Sequence, residues 1–88
     1  MRVVFKNSFA KDLKKVKDQN LKQMVISTIE TIEQAKGLAQ LSNTKKLKGN
    51  DSYYRIKLGD YRIGIIIEND VVTFVRILHR KDIYRHFP

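Results

Sequence analysis

The chain has 88 residues, enough for one compact domain over residues 1–88 and too few for two. It has no cysteine, which excludes disulfides and thiolate metal sites and suits a reducing cytoplasm. Its net charge of +9 divides into +4 over residues 1–44 and +5 over residues 45–88, so the excess is no detachable tail and favours a polyanionic partner: nucleic acid, ribosome, acidic protein or anionic membrane.

Val3-Val4-Phe5 is short, branched and apolar and reads as an opening strand. Asn7 or Ser8 can cap the helix that follows, in which Phe9, Leu13 and Val16 recur at spacings of four and three and mark one buried face. Asp18-Gln19-Asn20 supplies turn and cap residues before a second helix. Its stripe is Leu21, Val25, Ile29 and Ile32, widened by Met24 and Ile26, and Gly37 is placed to end it near Lys36. So short a break predicts an antiparallel helical hairpin with a lysine-rich, solvated outer side. Leu38 to Thr44 reads as a connector, Lys45 to Lys48 as the start of a sheet, and Gly49-Asn50-Asp51-Ser52 as a turn.

From Tyr53 the period changes to two. Tyr54, Ile56 and Leu58 point to one side, and Tyr53, Arg55 and Lys57 to the other. Gly59-Asp60 makes a tight reversal, after which Tyr61, Ile63, Ile65 and Ile67 alternate with Arg62, Gly64, Ile66 and Glu68. Asn69-Asp70 is a hairpin turn, Val71 to Leu78 the next strand, and Arg80 to His86 one or two helical turns. The fold class is therefore α+β: a strand, a helical hairpin and three or four mainly antiparallel strands, with a short helical or irregular tail. The hairpin covers one sheet face, and the other is expected to be open, with Arg55, Lys57 and Arg62 outward. No stretch approaches the roughly 18 apolar residues of a membrane span, and the N-terminal apolar run is too short for a signal peptide, so a cytoplasmic protein is expected.

Arg55 and Lys57 leave one strand face about 6.6–6.8 Å apart. If Arg62 shares that face, three cations meet over an area about one phosphate wide. The segment from His79 to His86 adds three cations, an aromatic ring and two histidines in eight positions. Arg80 and Tyr84, four apart, would lie side by side on a helix and offer a base-stacking ring beside a phosphate grip.

Four segments, Lys46-Leu47-Lys48-Gly49, Tyr54-Arg55-Ile56-Lys57-Leu58, Gly59-Asp60-Tyr61-Arg62-Ile63 and His79-Arg80-Lys81-Asp82-Ile83-Tyr84-Arg85, closely resemble the RelE/ParE superfamily of bacterial toxins. The order of elements matches as well, so the resemblance covers nearly the whole chain. It implies a RelE-type ribonuclease that cuts messenger RNA, with site roles on Arg55, Lys57, Arg62, Arg80 and Tyr84. Lys46, Lys48, Lys81 and Arg85 would bind substrate. RelE members often carry lysine where this chain has Arg55, which exchanges a point charge for a bidentate fork. Some relatives use a C-terminal histidine as acid or base, which makes His86 a further candidate.

The reaction implied is attack of an RNA 2′-OH on the adjacent phosphorus with expulsion of the 5′-oxygen. A lysine serves as base only where neighbouring cations disfavour its protonated form. On that reading Lys57 is the base, Arg55 and Arg62 clamp the transition state, Arg80 stabilises the leaving group and Tyr84 stacks on a base. Nine scattered acidic residues give no ligand-like spacing, so the ribonuclease is expected to be metal-independent and without a cofactor. The resemblance further implies an acidic antitoxin, partly disordered when free, with messenger RNA and ribosome as the other partners. DNA would be met only through a toxin–antitoxin complex at its operator. Two rivals share the fold: a ParE-like toxin that inhibits DNA gyrase by binding, and a non-catalytic RNA or ribosome binder.

Overall fold

The computed structural model describes residues 1–49 and 51–88. The elements run β1 (Arg2–Phe5), α1 (Asn7–Lys15), α2 (Gln19–Gln34), a 3-10 turn (Leu38–Gln40), β2 (Thr44–Lys46), β3 (Tyr53–Leu58), β4 (Tyr61–Glu68), β5 (Val71–His79) and α3 (Ile83–His86). They form an α+β fold whose five-stranded sheet has the order β1-β5-β4-β3-β2. Among the described residues only the β1–β5 pair is parallel, as the two-helix crossover between β1 and the rest of the sheet allows. Asn50 of the expected turn lies outside the described residues.

The inner sheet face carries Ile56, Leu58, Ile63, Ile65, Val72, Phe74 and Ile77, all buried against Phe9 and Val16 of the first helical segment and Leu21, Val25 and Ile32 of α2. Phe5, Phe9 and Phe74 stack where β1 runs into α1, with ring centroids 5.2–5.9 Å apart. Met24 and Ile26 do not widen the buried stripe. They are 41% and 49% exposed, because the sheet contacts only one narrow side of α2.

Helix ends also differ from expectation. The α1 N-cap is Lys6, with no side-chain cap bond, and the Ser8 hydroxyl instead donates to the Val75 carbonyl across the α1–β5 contact. Asp18 does cap α2, accepting from the N–H groups of Asn20 and Leu21. Gly37 does not end α2. The helix stops at Gln34, Gly37 is extended at φ −174°, and the amino group of Met1 donates to the carbonyls of Ile32, Glu33 and Ala35. Those carbonyls lie at the C-terminus of the helix, where acceptors run short of intrahelical donors, so no left-handed glycine is required to close it.

A single buried carboxylate solves a problem of the sheet edge. β1 pairs with β5 only from Val71 to Phe74, leaving Val75 to His79 without a neighbour on that side. α1 takes the place of the missing strand: Ser8 bonds the Val75 carbonyl, and Asp12 Oδ2 accepts the Ile77 N–H at 3.1 Å. Asp12 is 6% exposed and also holds the Arg76 guanidinium in a two-point contact, Nε to Oδ2 at 2.7 Å and Nη2 to Oδ1 at 3.0 Å. Sequence periodicity misses Asp12 because a polar residue three positions after Phe9 on the buried stripe reads as an interruption. The hydrogen bond from Arg76 to Asp12, with their mutual attraction, raises the Arg76 pKa above its ordinary value against the opposing effect of burial. A raised folded-state pKa stabilises the fold fully below the unfolded value, and that contribution fades only in strong alkali. The pair therefore brings no pH dependence near neutrality from its arginine.

The outer sheet face is not fully open. α3 folds back on it, burying Ile83, and Phe87 is only 2% exposed against Gly64. Nonadjacent backbone contacts guide this return: the Arg80 N–H donates to the Asp60 carbonyl at 2.8 Å, and the Asp82 N–H to that of His79 at 2.8 Å.

Removing Arg76 leaves a buried carboxylate without its counter-charge, so Arg76→Met should lower stability by about 3–5 kcal/mol. Asp12→Asn keeps an acceptor for the Ile77 N–H and should cost less. Urea denaturation of the two variants checks that order, and equal losses would mean that an unpaired Asp12 carboxylate carries no extra penalty.

Candidate nucleic-acid interface

Cross-strand register builds the cationic surface. β3 and β4 pair antiparallel, with Lys57 directly opposite Arg62 and Arg55 directly opposite Gly64. The same rows continue outward, Lys45 lying opposite Arg55 and Leu78 opposite Arg62. Side chains in register share a face, so Lys45, Arg55, Lys57 and Arg62 all leave the side away from the core. Like charges directly across a ladder destabilise it, which makes the Lys57–Arg62 pair an expense the fold carries rather than one that stabilises it.

The arginines are held by backbone carbonyls. Arg62 is half-buried, and its Nη1 donates to the Gly59 carbonyl at 2.7 Å and to its neighbour Tyr61 at 2.9 Å. Lys57 is exposed. Arg80 sits in the turn after β5, outside α3, so it does not stack with Tyr84 along a helix as its spacing predicted. The chain needs that turn to bring its backbone to Asp60, and Arg80 Nε lies 4.0 Å from Asp60 Oδ1. Arg62 and Arg80 are thus anchored to consecutive residues of one tight turn, Gly59 and Asp60. Gly59 adopts φ +55°, a left-handed conformation that suits glycine there.

The other candidates are dispersed around this centre. Arg55 is half-buried and directs Nη1 to the Asn43 carbonyl at 3.2 Å, toward the β2 edge. Tyr84 is 59% exposed on α3, and Arg85 and Lys81 are exposed beside it. Lys46 lies opposite Tyr54, on the inner-facing parity of its strand, and its Nζ is 3.6 Å from Asp51 Oδ1. With Lys48 it borders a separate shallow depression. Lys45 has the outward parity instead. Sequence reasoning passed over it because a three-residue edge strand shows no alternation from which to read its register.

His86 lines a cavity of about 400 Å³ together with Asp12, Lys15, Arg76, His79 and Asp82, a set that includes neither Lys57 nor Arg62. His79 Nδ1 accepts the Lys81 N–H at 3.1 Å, and its ring meets Tyr61 edge-on at 5.7 Å. Those contacts make it a fixture of the β5 end. Among the described residues, no group of three or more His, Asp or Glu side chains is placed to hold a metal ion, and no helix is long and apolar enough to cross a membrane.

A helical hairpin on one face of a small sheet, with arginines and lysines paired across the other, is the arrangement that the resemblance to RelE/ParE toxins implies. The sequence profile of the ParE toxin of type II toxin–antitoxin systems, parDE, matches residues 3–84. The chain is 43% identical over 89 residues to Toxin RelE3 of Methanocaldococcus jannaschii, covering 100% of both. It superposes with a TM-score of 0.82 and 40% identity on the toxin in the crystal structure of the RelB-RelE antitoxin-toxin complex from Methanococcus jannaschii, over 97% of this chain and 99% of that one. The archaeal RelE-RelB complex from Pyrococcus horikoshii OT3 matches with a TM-score of 0.73 over 90% and 93% of the two chains, and at 20% identity it shares the fold. This chain belongs to the RelE/ParE superfamily of type II toxins.

Proposed function

We propose that this toxin is a metal-independent endoribonuclease that cuts messenger RNA in the ribosomal A site and so arrests translation. The observation that carries the reading is the Lys57–Arg62 pair, two cations in register on an exposed face with the Arg62 guanidinium already oriented by the β3–β4 turn. A phosphate between them would relieve their repulsion and gain two charge-assisted contacts. The whole chain, residues 1–88, would act as one catalytic domain in the cytoplasm.

The chemistry follows from what each group can do. Lys57 Nζ, in its uncharged form, takes the proton of the 2′-OH, whose oxygen attacks the adjacent phosphorus, and the ammonium so formed pairs with the phosphate. A bond to the 2′-oxygen forms as the bond to the 5′-oxygen breaks, leaving a 2′,3′-cyclic phosphate and a 5′-oxygen that takes a proton from water to become the free 5′-hydroxyl. Arg62 clamps the extra negative charge of the transition state, with Arg55 as the outer clamp, and Arg80 stabilises the leaving 5′-oxygen. Tyr84, exposed on α3, stacks on a base and orients the nucleotide. Lys45, Lys81 and Arg85 extend the phosphate track, and Lys46 and Lys48 form its distal part. His86, among the residues of another cavity, is the alternative base.

The RelB-RelE and RelE-RelB structures hold toxins with their antitoxins. By that likeness an acidic antitoxin neutralises this toxin, and a net charge of +9 favours such a partner. The ParE profile match supports a second reading, inhibition of DNA gyrase by binding. That reading has no use for a base, a clamp and a stacking ring on one face.

Lys57→Ala should lower the rate of messenger cleavage on translating ribosomes by about 10²–10³-fold. Full retained activity would remove Lys57 from the mechanism, and a flattened pH–rate profile in His86→Ala would move the base to His86. Induced expression followed by mapping of transcript ends should reveal new 5′ ends that coexpressed antitoxin abolishes. Growth arrest with intact transcripts and broken DNA would favour the gyrase reading. Arg85→Ala should reduce the dependence of log affinity for single-stranded RNA on log salt by about 0.7, the value of one phosphate contact.

A further inference from the structure

α3 is one turn long, Ile83 to His86, far too short to be stable by itself. Its position, and that of Tyr84, must come from tertiary contacts: the buried Ile83 within it and what its flanks touch. At the near end the Arg80 backbone is tied to Asp60. At the far end the Phe87 N–H closes the turn on the Ile83 carbonyl at 2.8 Å, and the Phe87 ring lies against Tyr53, centroids 5.3 Å apart. The same ring rests directly on Gly64. A Cβ at that position would stand 2.5 Å from both Cγ and Cδ2 of Phe87 and 2.8 Å from Cδ1, closer than side-chain carbons approach one another.

Gly64 is therefore a receptacle. It lies opposite Arg55 and two residues along β4 from Arg62, so the ring it admits sits beside the cationic pair. Its own φ is not in the left-handed region, and no turn requires glycine there. The close approach of the aromatic ring is the reason for the missing side chain.

We propose that Gly64 and Phe87 form a seat that fixes Tyr84 in position over the Lys57–Arg62 pair, making both positioning residues for RNA cleavage. This rests on the ribonuclease reading above. Alanine suits a β-strand, so Gly64→Ala should fold while driving the ring off the sheet. Phe87→Leu, combined with it, leaves room for the added methyl and should let the segment return.

Two measurements test the seat. The first is trypsin cleavage after Lys81 and Arg85, which follows the fraction of time the segment spends off the sheet. Gly64→Ala should speed it on the order of tenfold, and Gly64→Ala with Phe87→Leu should restore slow cleavage. The second is the kcat of messenger cleavage on ribosomes, which misplacement of a stacking group should lower on the order of tenfold to a hundredfold. Tyr84→Ala should cause a similar fall, and adding Gly64→Ala to it should cause no more, because the glycine acts through the tyrosine.

Unchanged trypsin rates in Gly64→Ala, with Phe87→Ala equally protected, would overturn the seat. Additive kcat losses in the Gly64→Ala, Tyr84→Ala double variant would overturn positioning through Tyr84. If the wild-type chain cuts no RNA, the ribonuclease reading fails and the positioning role with it, whereas the trypsin comparison still decides whether Gly64 seats the segment.

Discussion

The antiparallel register of β3 and β4, set by the two-residue reversal at Gly59-Asp60, is the constraint on which the rest depends. A slip of one residue would send Ile56 and Ile63 to the surface and Lys57 and Arg62 into the core. The buried isoleucines thus hold the cations in place: the same alternation that fills the inner face forces the charged residues together on the outer one. Repulsion between Lys57 and Arg62 is tolerated because it is small beside the burial of Ile56, Leu58, Ile63 and Ile65. The turn then serves twice, since its carbonyls orient Arg62 and receive the returning chain at Arg80.

β5 links this surface to the helices. Where β1 stops, Ser8 and Asp12 of α1 supply the edge contacts a further strand would have made, and the Asp12–Arg76 pair ties the helix to the sheet. Beyond β5 the chain recrosses the outer face and comes to rest on Gly64. Both faces of a small sheet are thereby used, one wholly for the core and one divided between a packed C-terminal turn and an exposed cationic area. In a chain this short, each contact away from the main core matters more than it would in a larger domain.

Much of this was legible in sequence. The period-two alternation from Tyr53 to Glu68 identifies which residues share a face, and the two helices follow from Phe9, Leu13 and Val16 and from Leu21, Val25 and Ile32. Contacts between residues distant in the chain were not legible. Asp12 and Arg76 are 64 positions apart, and neither looks unusual until β5 is known to lack a neighbour. Gly64 reads as an incidental gap in a strand until Phe87 is seen upon it. Lys45 and Lys46 cannot be told apart without the β2 register, and spacing alone does not reveal the turn that holds Arg80 ahead of α3. Local pattern gives faces and elements, whereas pairing gives partners.

On the ribonuclease proposal, Lys57 and Arg62 grip a single RNA phosphate with Tyr84 against the neighbouring base. The most direct measurement is an electron cryomicroscopy structure of the toxin on a ribosome carrying messenger with a 2′-deoxy residue at the cleavage position, which blocks the reaction without removing the phosphate. The account predicts one backbone phosphate between Lys57 Nζ and the Arg62 guanidinium, with a base stacked on the Tyr84 ring. Messenger bound along another surface, or phosphates out of reach of both side chains, would contradict it.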